Sequence, residues 1–232
     1  WFAISDRAGL KLSYLFLING VLNQLMKSAF QMPRPPSDIA LISLHSYGFP
    51  SGGAQTSLLL GALFIYLCRT KTAYTAGIFY ILLISFSRLY LGVHYPLDIL
   101  GGWVFGGIVL VSFITLEKPI TQWVAKQTLS IRSTLFLTVL LTFLISYYPL
   151  TATIFGLTVG AWIARTYQLY PTPPTKWSKK IIRATLAALS AFAICALIPN
   201  STPTYLLSIC LGLSVSLFIP LLFCLNTDRS SL

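Results

Sequence analysis

Negative charge is almost missing from this chain. Five acidic residues stand among 232, against sixteen Lys and Arg, and charged residues of either sign make up 9%, where a soluble domain carries roughly 25%. So thin a polar supply argues against a soluble globule, and a hydrophobic content of 56% excludes a disordered chain. Short-spaced cysteine pairs are missing as well. Cys68, Cys195, Cys210 and Cys224 all lie in or at the ends of apolar segments, which reads as small buried hydrophobes. Basic clusters on a polar surface are missing too, so the net charge of +11 does not point to nucleic acid. Between residues 132 and 225 there is no acidic residue at all, which argues against a proton relay and so against a proton-coupled transporter.

Long apolar runs are what the chain does have. Eight segments can be drawn, at about 8–30, 51–68, 73–91, 97–116, 132–148, 151–167, 181–198 and 204–225. Several approach the ~20 residues that a transmembrane helix needs, and the short ones are expected to be tilted, re-entrant or fused. Two polar connections interrupt them. One is 31–50, and the other is 168–180, with Pro171, Pro173 and Pro174 before Lys176, Lys179 and Lys180. The chain opens on Trp1 and not on Met, and its first apolar scrap ends at Asp6-Arg7. That pattern reads as the tail of a helix in an N-terminally truncated piece. The expected fold class is all-α, a polytopic integral membrane helix bundle.

Threading the segments alternately sorts the basic residues. Thirteen of the sixteen, among them Arg7, Lys11, Arg69, Lys71, Lys118 and Lys126, fall on one side, and only Lys27, Arg34 and Arg88 fall on the other. The positive-inside rule makes the rich side cytoplasmic. The three exceptions then stand near the opposite membrane face, where an ionisable residue is a functional candidate by default.

All three exceptions lie in short blocks. The first is Lys27, six residues, then Arg34-Pro35; the second is Pro50-Ser51-Gly52-Gly53; the third is Ser87-Arg88, five residues, His94, three residues, Asp98. Three cations brought to one sparse face make an anion site. Arg can grip two phosphoryl oxygens as a fork, and Lys acts as a point charge. A helix opening at Ser51-Gly52-Gly53 offers free N–H groups and a positive dipole end, and Ser51 can cap that helix, donate to an anion, or both. His94 and Asp98 have the four-residue spacing at which a carboxylate fixes an imidazole tautomer. Asp38 is the one other carboxylate on that side. Asp98 being paired with His94, no metal cluster is expected. Trp103, Tyr147 and Tyr148 read as interfacial or packing residues.

In order and spacing, the three blocks resemble the signature of the type 2 phosphatidic acid phosphatase family, relatives of vanadium haloperoxidases. The resemblance covers about residues 8–116. It implies a phosphatase-type core at 1–118, followed by additional transmembrane helices at 119–232. It also implies phosphate contacts from Lys27, Arg34, Ser51, Gly52, Gly53 and Arg88, and His94 as a nucleophile paired with Asp98 that forms a phosphohistidine. The implied function is hydrolysis of a lipid phosphate or diphosphate, without metal or cofactor, at the periplasmic or outer face of a bacterial cytoplasmic membrane. The implied partners are a phosphorylated lipid and the surrounding membrane lipids. Phosphotransfer to a second lipid would use the same intermediate.

The chain departs from the family at Gly53, where the second block has a His that serves as general acid. Three accounts stand open. The leaving group is itself a phosphate, as in a polyprenyl diphosphate, and needs no proton; or His45, in the preceding loop, substitutes; or turnover is weak and the protein binds or transports lipid phosphates.

Overall fold

The structure, a computed structural model, describes residues 6–36, 38–128, 149–167, 178, 182, 185, 189 and 204–218. Outside them lie the expected segment 132–148, nearly all of 181–198, most of the linker 168–180 with Lys176, Lys179 and Lys180, and Arg132, Arg183, Arg229, Tyr147, Tyr148, Cys195 and Cys224. Every described element is helical: α1 (Asp6–Phe30), α2 (Gly52–Cys68), α3 (Lys71–Tyr90), α4 (Pro96–Lys126), α5 (Pro149–Thr166) and α6 (Thr204–Leu213), the last running into a π turn at Ser214–Phe218. The chain divides into two compact units, one of Ile18–Gln127 and one of Trp1–Leu17 with Thr128–Leu232.

Local chemistry sets the helix ends in the first unit. Ser51 caps α2, its Oγ accepting from Ala54 N, and Thr70 caps α3 in the same way through Ala73 N. At α4, Pro96 takes the first helical position, where its missing N–H is not needed. Asp98 reaches back so that Tyr95 N donates to its Oδ2 at 2.9 Å, half of a capping box. Arg69 closes α2 in the left-handed region at φ 52, its N–H bonded to Ile65 O. α4 runs ten residues past the expected end at 116, straight through Pro119. The extension is polar, and Thr121 Oγ1 donates to Glu117 O at 2.7 Å within it, so hydropathy alone does not register it as helix.

Small residues let α2, α3 and α4 approach closely, the usual device where lipid supplies no hydrophobic drive between helices. A Cβ at Gly61 of α2 would lie 2.9 Å from Gly77 O of α3, and one at Gly77 the same distance from Gly61 O. On α4, a Cβ at Gly102 would meet Ser51 O at 2.7 Å and one at Gly106 would meet Gln55 O at 2.6 Å. Trp103 Nε1 donates to Ser85 Oγ at 3.0 Å, tying α4 to α3, which accords with its reading as a packing residue.

The outer faces are apolar. Ile78, Phe79, Leu82, Leu83 and Phe86 of α3 and Leu100, Val104, Ile108 and Val111 of α4 are exposed. Lys71–Tyr90 and Pro96–Trp123 are long and apolar enough to cross a membrane, and only 17% and 28% of their most apolar windows are buried. A core helix of a soluble protein would be mostly buried, so these faces suit lipid; the chain is an integral membrane protein. Helix α1 does not pass that test despite its 25 residues, because Asn19, Asn23, Gln24 and Lys27 lower its hydropathy. In the second unit, Leu17, Leu157 and Ala161 form a buried cluster with Tyr14, Ile154 and Val215 around it, and Tyr14 Oη donates to Thr158 Oγ1 at 3.0 Å.

The turn between α3 and α4 depends on Gly92. Its φ is +67, and a Cβ there would collide with the carbonyl of Ile39. Gly92→Ala is therefore expected to lower stability by more than about 1 kcal/mol, read as a fall in the unfolding midpoint in detergent. Gly107→Ala, where a Cβ meets only Leu58 at 3.7 Å, is expected to leave the midpoint unchanged or raise it, through the roughly 1 kcal/mol helix preference of Ala.

Candidate active site

The end of α1, the start of α2, the end of α3 and the start of α4 meet at one end of the first unit. His94 and Asp98 are buried there, at 7% and 3% exposure. The imidazole Nδ1 lies 3.1 Å from Asp98 Oδ2, and Nε2 lies 3.2 Å from Arg34 Nη1. The partners settle the tautomer. A carboxylate only accepts, so Nδ1 carries the proton; a guanidinium only donates, so Nε2 presents its lone pair. Burial pulls the His94 pKa down to about 4, helped by the positive charge of Arg34, while the hydrogen bond to Asp98 opposes the fall. His94 is thus a neutral imidazole with an oriented lone pair across the physiological range.

Arg34 makes four contacts through its fork. Nε donates to Ser46 O at 2.6 Å, Nη2 to Ser46 Oγ at 3.0 Å, and Nη1 to Val93 O at 2.8 Å as well as to His94. Burial lowers its pKa from the usual value, and the Asp98 charge works against that shift. Lys27 is buried, and its Nζ donates to Tyr47 O and, at 3.0 Å, to Gly48 O. Carbonyls of the 46–48 segment therefore occupy donors of two cations.

Ser51 is completely buried as the α2 cap, and its N donates to Asp98 O at 2.9 Å, so the starts of α2 and α4 are fastened together. Gly52 and Gly53 supply the first N–H groups of α2, which have no carbonyl within the helix to bond. Arg88 approaches this turn. A Cβ on Gly53 would lie 3.0 Å from Arg88 Nε, and that buried Nε has no hydrogen-bond partner. Arg88 thus fills the space over Gly53 and keeps a donor in hand. His45 is exposed, and it shares with Lys27 and Arg34 a cavity of about 420 Å³ that also reaches Gln24 and Ser28.

All the residues singled out in the three blocks lie at this end of the unit. Several contributors have no place in those blocks: Ser46, the Tyr47 and Gly48 carbonyls, and the buried amides Asn19, Asn23 and Gln55. For the two asparagines a signal was available, since 19, 23 and 27 recur at four-residue intervals on one face of α1.

Residues 8–122 match the PAP2 superfamily. Over 130 residues, 54% of this chain and 62% of the relative, the chain is 31% identical to an undecaprenyl-diphosphatase of Sulfolobus acidocaldarius. Over 192 residues, 70% of this chain and 52% of the relative, it is 29% identical to sphingosine-1-phosphate phosphatase 2 of Mus musculus. A crystal structure of a transmembrane PAP2-type phosphatidylglycerolphosphate phosphatase from Bacillus subtilis superposes with a TM-score of 0.41 at 25% identity, covering 48% of this chain and 59% of that one. The matches span about half to three fifths of the length of these curated relatives.

The depressed His94 pKa has a stability consequence. Between about pH 6.5 and pH 4 the unfolded imidazole binds a proton that the folded one refuses, so folding is penalised as pH falls through that window. Above pH 6.5 the residue contributes no slope. His94→Gln is expected to flatten the loss of stability between pH 6.5 and 4, measured as the difference in unfolding midpoints from wild type. Parallel curves would contradict a neutral buried imidazole. Residues 8–122, just under half of the chain, resemble the PAP2 superfamily.

Proposed function

We propose that this protein is a membrane lipid phosphatase that hydrolyses a lipid phosphate or diphosphate through a phosphohistidine. The observation that carries the reading is His94, held with Nδ1 on Asp98 and its Nε2 lone pair on Arg34, a donor suited to phosphoryl oxygen. The substrate phosphoryl group takes the place of Nε2 and of the 46–48 carbonyls on the cations. Nε2 then attacks phosphorus, the bond to the leaving oxygen breaks, and that oxygen departs with the electron pair. Asp98 stabilises the imidazolium that forms. Water then attacks the phosphorus and frees His94 as the phosphorus–nitrogen bond breaks. Lys27, Arg34, Arg88 and the N–H groups of Gly52 and Gly53 hold the equatorial oxygens. The proposed mechanism draws on these side chains and N–H groups and calls on no metal.

Of the three proteins compared above, one is named for a diphosphate and two for a phosphate. Gly53 favours the diphosphate. Glycine supplies no acid, and a departing phosphate, with a second pKa of about 6, hardly needs one. The spare Nε of Arg88 beside Gly53 suits that second phosphate. The same glycine supports a second reading, a lipid-phosphate binder with little turnover.

The pocket faces the outside of a cytoplasmic membrane. Support comes from Arg69, between α2 and α3, and Lys71, the first residue of α3, both at the far ends of those helices from the pocket, and from the thirteen-to-three division of basic residues.

Phosphate release from a panel of lipid mono- and diphosphates tests the reading. His94→Ala should abolish release while leaving the protein folded, and Asp98→Asn should slow it. Wild-type turnover by His94→Ala would sink the assignment of the nucleophile. Gly53→His should raise monophosphate hydrolysis by up to about 10²–10⁴-fold and change diphosphate hydrolysis little. Because the new Cβ crowds Arg88, KM should rise on both substrates. Equal large rate gains on both would refute the leaving-group argument. If His45 is the acid, His45→Ala should selectively damage monophosphate turnover. For topology, in a background without Cys68, Cys195, Cys210 and Cys224, Asp38→Cys should react with an impermeant reagent in intact cells and Lys71→Cys should not. The reverse pattern would overturn the orientation.

A further inference from the structure

A chain of buried side-chain amides joins α1 to α2 below the pocket. Gln55 is 0%, Asn19 1% and Asn23 6% exposed. Asn23 Nδ2 donates to Gln55 Oε1 at 2.8 Å and to Pro50 O at 3.2 Å. Gln55 Nε2 donates to Asn19 Oδ1 at 2.8 Å and to Asn19 O at 3.2 Å. Asn19 Nδ2 continues to Thr56 Oγ1 at 3.1 Å.

Asn19, Asn23 and Lys27 follow one another at i, i+4 and i+8, so a single face of α1 carries both amides and the site lysine. That face grips Gly48 O through Lys27, Pro50 O through Asn23, and α2 itself through Gln55 and Thr56. The close approach continues at Gly52, where a Cβ would lie 3.0 Å from Asn23 Oδ1. Packing alone would be met more cheaply by aliphatic residues. Asn is a poor helix former, and buried polar groups in a membrane bundle contribute only about 0.6 kcal/mol on average when paired. They do, however, fix register, because sliding one helix past the other leaves amides unpaired in a medium that cannot solvate them.

We infer that Asn23 and Gln55, with Asn19, are positioning residues. They set the register of α1 on α2 and thereby the placement of Lys27 relative to the N–H groups of Gly52 and Gly53. This rests on reading that pocket as a phosphate site. A phosphoryl group held by Lys27 from one helix and by N–H groups from the other senses any slip between them, and a misplacement near 1 Å can cost about 10²-fold in rate.

The test uses Asn23→Leu, Gln55→Met and the double variant in the full chain. Apolar groups of similar shape remove the Asn23–Gln55 link without opening a cavity and leave only Asn19, at Oδ1 and O, and Pro50 O without these donors, so the double variant is expected to stay folded with an unfolding midpoint close to that of the wild type. Its kcat/KM for phosphate release is expected to fall by about 10–10²-fold, and its inhibition by orthovanadate to weaken in step. Each single variant is expected to lose about as much as the pair, because either change breaks the same link. Gln55→Glu, protonated in this setting, keeps an acceptor for Asn23 and a donor for Asn19 and should recover part of the rate. A purely structural role predicts the opposite pattern: lower midpoints, with unchanged turnover and vanadate affinity per folded molecule. A folded double variant with wild-type kcat/KM overturns the inference while leaving the phosphatase reading intact. Wild-type protein that neither releases phosphate nor binds orthovanadate overturns both. If Asn23→Leu fails to fold, Gln55→Met carries the same comparison from the other end of the link.

Discussion

Positive charge gathered in excess of counter-charge governs this end of the molecule. Lys27, Arg34 and Arg88 converge on a region whose one buried carboxylate, Asp98, already accepts from His94 and from Tyr95 N. Burying cations is costly unless their donors are satisfied. The chain meets that demand with backbone carbonyls: Ser46, Tyr47, Gly48 and Val93 accept from Lys27 or Arg34. Carbonyls are neutral, so these bonds satisfy geometry and leave the electrostatic preference for an anion in place. A phosphoryl group offers the same acceptors with the missing charge.

The same constraint explains why the polypeptide turns where it does. Two helices begin at the site, and a helix start brings unbonded N–H groups and a positive dipole end. The bond from Ser51 N to Asp98 O locks one start to the other, so the N–H groups of Gly52 and Gly53 keep a fixed relation to the His94–Asp98 pair. Glycines on α4 at 102 and 106 allow that contact, because side chains there would strike Ser51 O and Gln55 O. With no side chain at position 53, the Arg88 guanidinium stands against the first turn of α2, its Nε 3.0 Å from where a Cβ would be.

Much of this was legible in the residues alone. Block spacing picks out Lys27, Arg34, Arg88, His94 and Asp98, and the apolar runs place α1, α2, α3 and α5 to within two residues of their observed starts, because apolar runs and capping residues are local signals. Local signals also mislead. The polar stretch after 116 reads as a stop, yet α4 continues to Lys126, since a proline removes one hydrogen bond without forcing the backbone out of helical φ. Ser51 reads as a cap, an anion donor or both; its complete burial and its bond from Ala54 N leave the capping role visible.

Tertiary structure alone supplied the partners. Composition and spacing specify that a cation, an imidazole or an amide is present at a given height along a helix. They do not specify which carbonyl it meets, because that depends on helix register and on the path of a loop with no periodicity of its own. Arg34 bonding to Ser46, Lys27 to Gly48, Arg88 lying over Gly53, and Asn23 joining Pro50 to Gln55 are contacts across 12 to 35 residues, as the sequence numbers show. The sequence records hydrophobicity and propensity, which act between near neighbours. The site is made by contacts between distant residues, which exist only once the helices have packed.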